Sequence, residues 1–217
     1  MKIAVLGTGT VGNTIGSRLI ELGHTVMMGS RTADNEKAKA FVDKHTTNAR
    51  AGLFADAAAF GEIIFNCTAG LGSLAALKLA GAENMNGKII VDVANPLDFS
   101  KGMPPSLSVV NTNSLGEEIQ KAFPQSKVVK TLNTMWCGLM VTPSLVNKGD
   151  HHVFLCSNYE DAKEEVKKIL FSFGWKDENI IDLGDLTAAR GTEMYLPLWL
   201  RIYGAKKAGV FNIKVVS

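Results

Sequence analysis

Cysteine is scarce in this chain. Cys67, Cys137 and Cys156 are the only three among 217 residues, and they stand far apart in apolar surroundings. An odd, scattered set makes neither a disulfide framework nor a metal cage; it fits reduced thiols in a core. Histidine is as sparse. Of four, only His151 and His152 are adjacent, and neighbours on a strand point to opposite faces. No metal site is expected. One-sided charge is lacking too: 23 Lys and Arg against 21 Asp and Glu leave a net charge of +2. With no basic run and no aromatic-interleaved Lys/Arg stripe, nucleic acid is not an expected partner. No apolar stretch is long enough to cross a bilayer, and a strand pattern starts almost at the first residue, which leaves no room for a signal peptide. A cytoplasmic location is expected, with no membrane partner.

What is present is apolar and rich in glycine at one telling place. With 46% hydrophobic and 20% charged residues, the chain can bury one substantial core. Residues 3–6 form a continuous apolar run, as in a parallel strand buried on both faces, and Val11, Ile15 and Leu19 then switch to helical spacing. Between them lies Gly7-Thr8-Gly9-Thr10-Val11-Gly12. In such a strand–turn–helix, Gly7 permits the tight turn, Gly9 lets the backbone approach a pyrophosphate, and Gly12 lets the helix pack close to the strand. The pyrophosphate faces the helix N-terminus, where free N–H groups and the helix dipole favour negative charge.

The second strand pattern, residues 24–29, ends at Ser30 and Arg31, where the adenosine ribose is expected. An acid there would accept from the 2′-OH of NAD. This chain has none; Asp34 comes later. A guanidinium instead pairs with the 2′-phosphate of NADP and stacks on adenine. NADP(H) is the expected cofactor.

Strand and helix patterns alternate onward: a helix over 33–44, a strand over 49–53, a helix over 55–60 and a strand over 62–67. A small-residue loop over 68–72 precedes a helix over 74–79, a strand over 88–93, a helix over 114–123 and a sixth strand over 127–132. The alternation predicts an α/β, Rossmann-type, doubly wound and mainly parallel sheet. Ligands of such sheets sit beyond the carboxyl ends of the strands. Thr68, Ala69 and Gly70, then Ala94, Asn95 and Pro96, then Asn133 stand at those ends. Small residues there let a ring lie flat on the backbone, and an Asn can bond a carboxamide or ribose hydroxyl; turn preferences alone also favour such residues. A strand over 151–157, a helix over 159–173 and a strand over 179–183 follow. From about 185 to 217 a small extension is expected, a long helix over 185–207 bent at Pro197 and a final strand over 211–216 that needs a pairing partner, a second subunit being one candidate. The whole, 1–217, is read as a single dinucleotide-binding domain with that extension.

In order and spacing, the Gly-rich turn, Gly29-Ser30-Arg31, Val93-Ala94-Asn95-Pro96-Leu97, Val129-Lys130-Thr131-Leu132-Asn133-Thr134 and Gly209-Val210-Phe211-Asn212-Ile213-Lys214 resemble the coenzyme F420-dependent NADP oxidoreductases over essentially the whole chain. The resemblance implies NADPH on the Gly-rich turn, Ser30 and Arg31 at the 2′-phosphate, hydride exchange with a deazaflavin stacked over the nicotinamide, and a homodimer. Where the family places a second 2′-phosphate Lys, this chain has Asn35, with Lys37 as a substitute nearby. Membrane ferric reductases that reduce a flavin, and imine reductases, open similarly.

Hydride transfer between planar rings needs alignment more than acid–base chemistry. A carbonyl reductase needs a proton donor, and no His, Lys or Tyr stands at a predicted strand end. The residues therefore favour a deazaflavin or flavin-like acceptor and assign no catalytic side chain. A non-catalytic NADP(H)-binding or sensing module and a reductase of a small imine or ketone stay open. An enzyme requires an open slot about one ring thick beyond the nicotinamide, bordered by residues such as Trp136, Met135 or Leu196; a filled slot fits a module.

Overall fold

In a computed structural model, which describes residues 1–216, the apolar run of the first residues becomes β1 (Lys2–Leu6) and the helical pattern becomes α1 (Thr10–Glu21). Then come β2 (Thr25–Ser30), α2 (Glu36–His45), β3 (Ala49–Leu53), α3 (Phe54–Phe60), β4 (Ile63–Asn66), α4 (Gly70–Ala80), α5 (Ala82–Met85) and β5 (Ile89–Asp92). A two-stranded hairpin, β6 (Leu97–Asp98) with β7 (Ser106–Leu107), interrupts the alternation before α6 (Leu115–Ala122) and β8 (Lys127–Thr131). The remainder is α7 (Cys137–Val141), β9 (Val153–Cys156), α8 (Glu160–Phe173), β10 (Ile180–Asp182), α9 (Ala189–Met194) and α10 (Leu196–Lys206). No helix among the described residues is long and apolar enough to cross a membrane.

The main sheet has the order β10-β9-β8-β5-β4-β1-β2-β3. β1 lies between β2 and β4, both parallel to it, so the order reverses there and opens a crevice at the carboxyl ends. Alternation along β1 sends Ile3 and Val5 to the core under α1 and α2, and Ala4 and Leu6 to the core under α3 and α4. All four are fully buried, which is why the run reads as uniformly apolar.

The sheet is not parallel throughout. β9 pairs antiparallel with β8, Lys130 opposite Cys156, and β10 runs parallel to β9. The chain leaves β8 and returns through the short α7, which packs on α1, so β9 begins at the edge where β8 ends. Three expectations need correction beyond this point. His151 and His152 precede β9, and His151 is a core residue, 2% exposed, bonded to the Pro143 carbonyl at 2.8 Å and to the Asn212 amide at 2.8 Å. The helix expected over 185–207 is a 3-10 turn (Leu186–Ala188) followed by α9 and α10. Pro197 stands in the first turn of α10, where its missing N–H is least felt. Residues 211–216 form no strand. They meet this chain's own segment before β9, where the His152 backbone N–H donates to the Ile213 carbonyl at 2.9 Å and its Nδ1 accepts from the Val215 N–H at 3.0 Å.

α9 is tied back to the sheet layer through α6. Ser114 caps α6 by accepting from the Glu117 N–H at 3.1 Å, and Arg190 of α9 binds both oxygens of the Glu117 carboxylate, Nε donating to Oε2 at 2.9 Å. The Arg190 guanidinium beside it holds the Glu117 carboxyl below the ordinary value of 4.5, despite the opposing effect of burial. A carboxyl depressed in the folded state adds stability above its unfolded pKa and loses it as pH falls through the folded one. The melting temperature is therefore expected to drop on acidification below 4.5. In Arg190→Met that acid-induced drop, followed by circular dichroism, should be smaller.

Candidate active site

β1 runs into α1 through a turn that only glycine allows. Gly7 has φ +116°, and a Cβ at Gly12 would stand 2.0 Å from the Gly7 carbonyl oxygen. The two residues bring the first turn of α1 directly against the strand end. Gly9, the residue before the helix, has nothing within 4 Å of where its Cβ would be. It faces open space. α1 begins with no side-chain cap and no acid in its first turn, so its leading N–H groups are left for an outside acceptor.

Two cavities flank this first turn. One, of about 360 Å³, is bordered by Thr8, Gly9, Thr10, Asn13 and Thr14 on one side and Lys37 and Ala40 of α2 on the other. The second, of about 190 Å³, is bordered by Val11, by Cys67, Thr68, Ala69 and Gly70 after β4, by Val93, Ala94 and Asn95 after β5, and by Leu97 and Phe99. Cys67 is half-buried, and burial, helped by the Asp92 charge, pushes its thiol far up, so it stays protonated.

The expected site residues fall as follows. Ser30 ends β2, is 4% exposed and donates to the Thr32 carbonyl, while Arg31 beside it is exposed and borders neither cavity. Asn35 caps α2, its Oδ1 accepting from the Ala38 N–H at 3.1 Å. That places Lys37 in the first turn of α2 and against the first cavity. Gly70 begins α4 and does not lie in a loop. Pro96 borders neither cavity; its carbonyl accepts from the Ser108 N–H at 2.8 Å and fixes the hairpin. Asn133 is 2% exposed and clasps Asn95, each side-chain amide donating to the other residue, at 2.9 and 2.8 Å. The second cavity is the open slot next to these strand ends, and none of Trp136, Met135 and Leu196 borders it. Met135 and Leu196 are each 6% exposed, and Trp136 packs over Gly138 and Gly209; Leu97 and Phe99 take the place instead.

Sequence reasoning missed a buried polar network behind the slot. Lys130 Nζ donates to Asp92 Oδ2 at 2.8 Å, to Glu193 Oε1 at 2.7 Å and to the Ala94 carbonyl at 2.5 Å. Asp92 Oδ1 accepts from Asn66 Nδ2 at 2.8 Å and from the Ala94 N–H at 3.2 Å. The Thr68 hydroxyl donates to Asn66 Oδ1 at 2.7 Å. Glu193 also accepts from the N–H groups of Leu115 and Gly116 at the start of α6. The available signal was a charge inside each of two otherwise apolar strand runs, Asp92 after Ile89-Ile90-Val91 and Lys130 after Val128-Val129.

The glycines differ in what a methyl group would meet. Gly12→Ala is expected to lower unfolding stability by about 1–3 kcal/mol or more, since backbone must move. Gly9→Ala should leave stability unchanged or slightly raised. Chemical denaturation of the two variants checks this.

The family profile for NADP oxidoreductase, coenzyme F420-dependent, matches residues 2–96. A crystal structure of a candidate F420-dependent NADP reductase from Arthrobacter sp. FB24 is 51% identical, covers 100% of both chains and superposes with a TM-score of 0.94. The metalloreductase STEAP3 of Rattus norvegicus is 28% identical over 206 residues; the match takes in 91% of this chain and 38% of that protein's length. A reductive aminase of Aspergillus terreus, in complex with NADPH and ethyl levulinate, shares the fold at 16% identity and a TM-score of 0.65, over 95% of this chain and 62% of that one. By identity over its full length and by the profile over residues 2–96, this chain belongs to the coenzyme F420-dependent NADP oxidoreductase family.

Proposed function

We propose that NADP(H) lies along the carboxyl edge of the sheet and exchanges hydride with a planar deazaflavin such as coenzyme F420, or with a flavin, laid over the nicotinamide. The observation that carries this reading is the open slot of about 190 Å³ next to the cleft of about 360 Å³ at the start of α1. Gly7, Thr8, Gly9, Thr10, Val11 and Gly12 seat the pyrophosphate. Arg31, set by the buried Ser30, and Lys37 hold the 2′-phosphate. Thr68, Ala69, Gly70, Ala94, Asn95 and Pro96 form or brace the wall for the nicotinamide half, and Asn133 holds Asn95 in place. No His, Lys or Tyr is among the residues bordering the slot, and the Cys67 thiol stays protonated. Such a lining suits a ring acceptor that needs alignment and no general acid. The Arthrobacter protein, described as F420-dependent, supports a deazaflavin acceptor over a ketone.

A charged hydrogen bond is worth roughly 1.5–3 kcal/mol, so Arg31→Ala should reduce the preference for NADPH over NADH by about 10- to 100-fold, read from binding or turnover of each. Purified protein mixed with NADPH and, separately, a deazaflavin, a free flavin, imines and ketones tests the acceptor at the reduced-nicotinamide absorbance band. Turnover of a ketone with none of deazaflavin or flavin would reverse the choice.

A homodimer is part of the same proposal. α10 is apolar yet buries only Leu196; Leu198 is 56% and Tyr203 45% exposed, with Met194 of α9 at 40%. Such a face suits a second copy. Leu198→Glu should shift the mass in light scattering from dimer to monomer, and a monomeric wild type would remove the assignment.

A further inference from the structure

Buried charges seldom repay their desolvation, and well-packed apolar residues in their place are often neutral or stabilising. The cluster of Lys130, Asp92 and Glu193 is almost entirely shielded, with side-chain exposures of 0%, 0% and 1%. Each polar atom in it is satisfied, and the bonds lead somewhere specific. The Ala94 backbone is held on both sides, the carbonyl of the peptide after it by Lys130 and the N–H of the peptide before it by Asp92. Ala94 faces the slot. On the other wall, Asn66 links Asp92 to the Thr68 hydroxyl, also at the slot. The two walls touch: a Cβ on Gly70 would stand 1.9 Å from the Asn95 carbonyl oxygen. A small shift of the Ala94 backbone therefore moves both sides of the slot.

We infer that Lys130 and Asp92 are positioning residues, which lock the two peptides flanking the Ala94 Cα from inside the core and so hold the wall against which the nicotinamide ring lies. This rests on the proposed seating of NADP(H). Glu193 completes the lock by anchoring Lys130 to α9 and to the start of α6. The energetics agree with that division. Burial lowers the affinity of Lys130 for its proton, but Asp92 and Glu193 more than offset it and the ammonium is held above its ordinary value, whereas burial raises Glu193. The cation is thus secure, and Asp92 joins it to the Ala94 N–H behind the slot.

The role separates from mere stability by what each half of the cofactor senses. The 2′,5′-ADP moiety sits at α1 and Arg31, on other loops, and perturbations at separate sites act independently to first order. In Lys130→Met, 2′,5′-ADP affinity measured by calorimetry should stay within about twofold of wild type. Selectivity for NADPH over 2′,5′-ADP should fall about tenfold, and the fluorescence lifetime of bound NADPH should shorten toward that of free NADPH, as a displaced wall releases the ring. Circular dichroism melts identify folded protein. Should Lys130→Met not fold, Asp92→Asn, nearly isosteric, carries the same comparison. Variants indistinguishable from wild type, variants that lose both ligands in parallel, or failure of both to fold would overturn the positioning role. Wild-type protein that binds neither NADPH nor 2′,5′-ADP would instead bring down the seating of the cofactor.

Discussion

The close approach of Gly12 to the Gly7 carbonyl is the contact on which the site depends. It fixes where α1 starts relative to β1, and β1 is the strand at which the sheet order reverses. With any side chain at Gly12, α1 would have to lift from the strand end. Its N–H groups would then no longer face the crevice between β1 and β4. Gly9 shows the complementary property, since the space a side chain would occupy is empty and available to a ligand. The same six residues thus carry one position closed by backbone and one left open.

Electrostatics divide the crevice into zones. At one end an uncapped helix start and Lys37 border the first cavity, a setting favourable to an anion. At the other, the slot lining is small, apolar or neutral, and charge is kept behind it in the Lys130 cluster. The one ionisable side chain bordering that slot, Cys67, is kept protonated by burial, so the lining offers alignment and no general acid or base.

All eight strands of the main sheet were legible in the sequence, most plainly those whose side chains face a core on both sides. β1, β4, β5 and β8 read as apolar runs because α-helical layers cover each face of the sheet. The hairpin β6–β7 was not legible, since two-residue strands have no periodicity to read, and with it Leu97 and Phe99 at the slot were missed. Residues 211–216 alternate like a strand yet make one backbone bond to His152, because the edge they meet precedes β9. Asn95 and Asn133 were read singly as ligand-binding amides; their mutual clasp spans 38 positions and is invisible to local pattern.

Local sequence settled the strand–turn–helix and the cation after β2, because both rest on backbone sterics and on charge within a few residues. The eight-stranded sheet order, the reversal of β9 and the joining of Asp92, Lys130 and Glu193 came from packing between distant segments. Those groups share no local spacing. They meet because burying charge is tolerable only where opposite charges and free backbone groups converge, and that convergence exists only once the sheet and its helices have assembled.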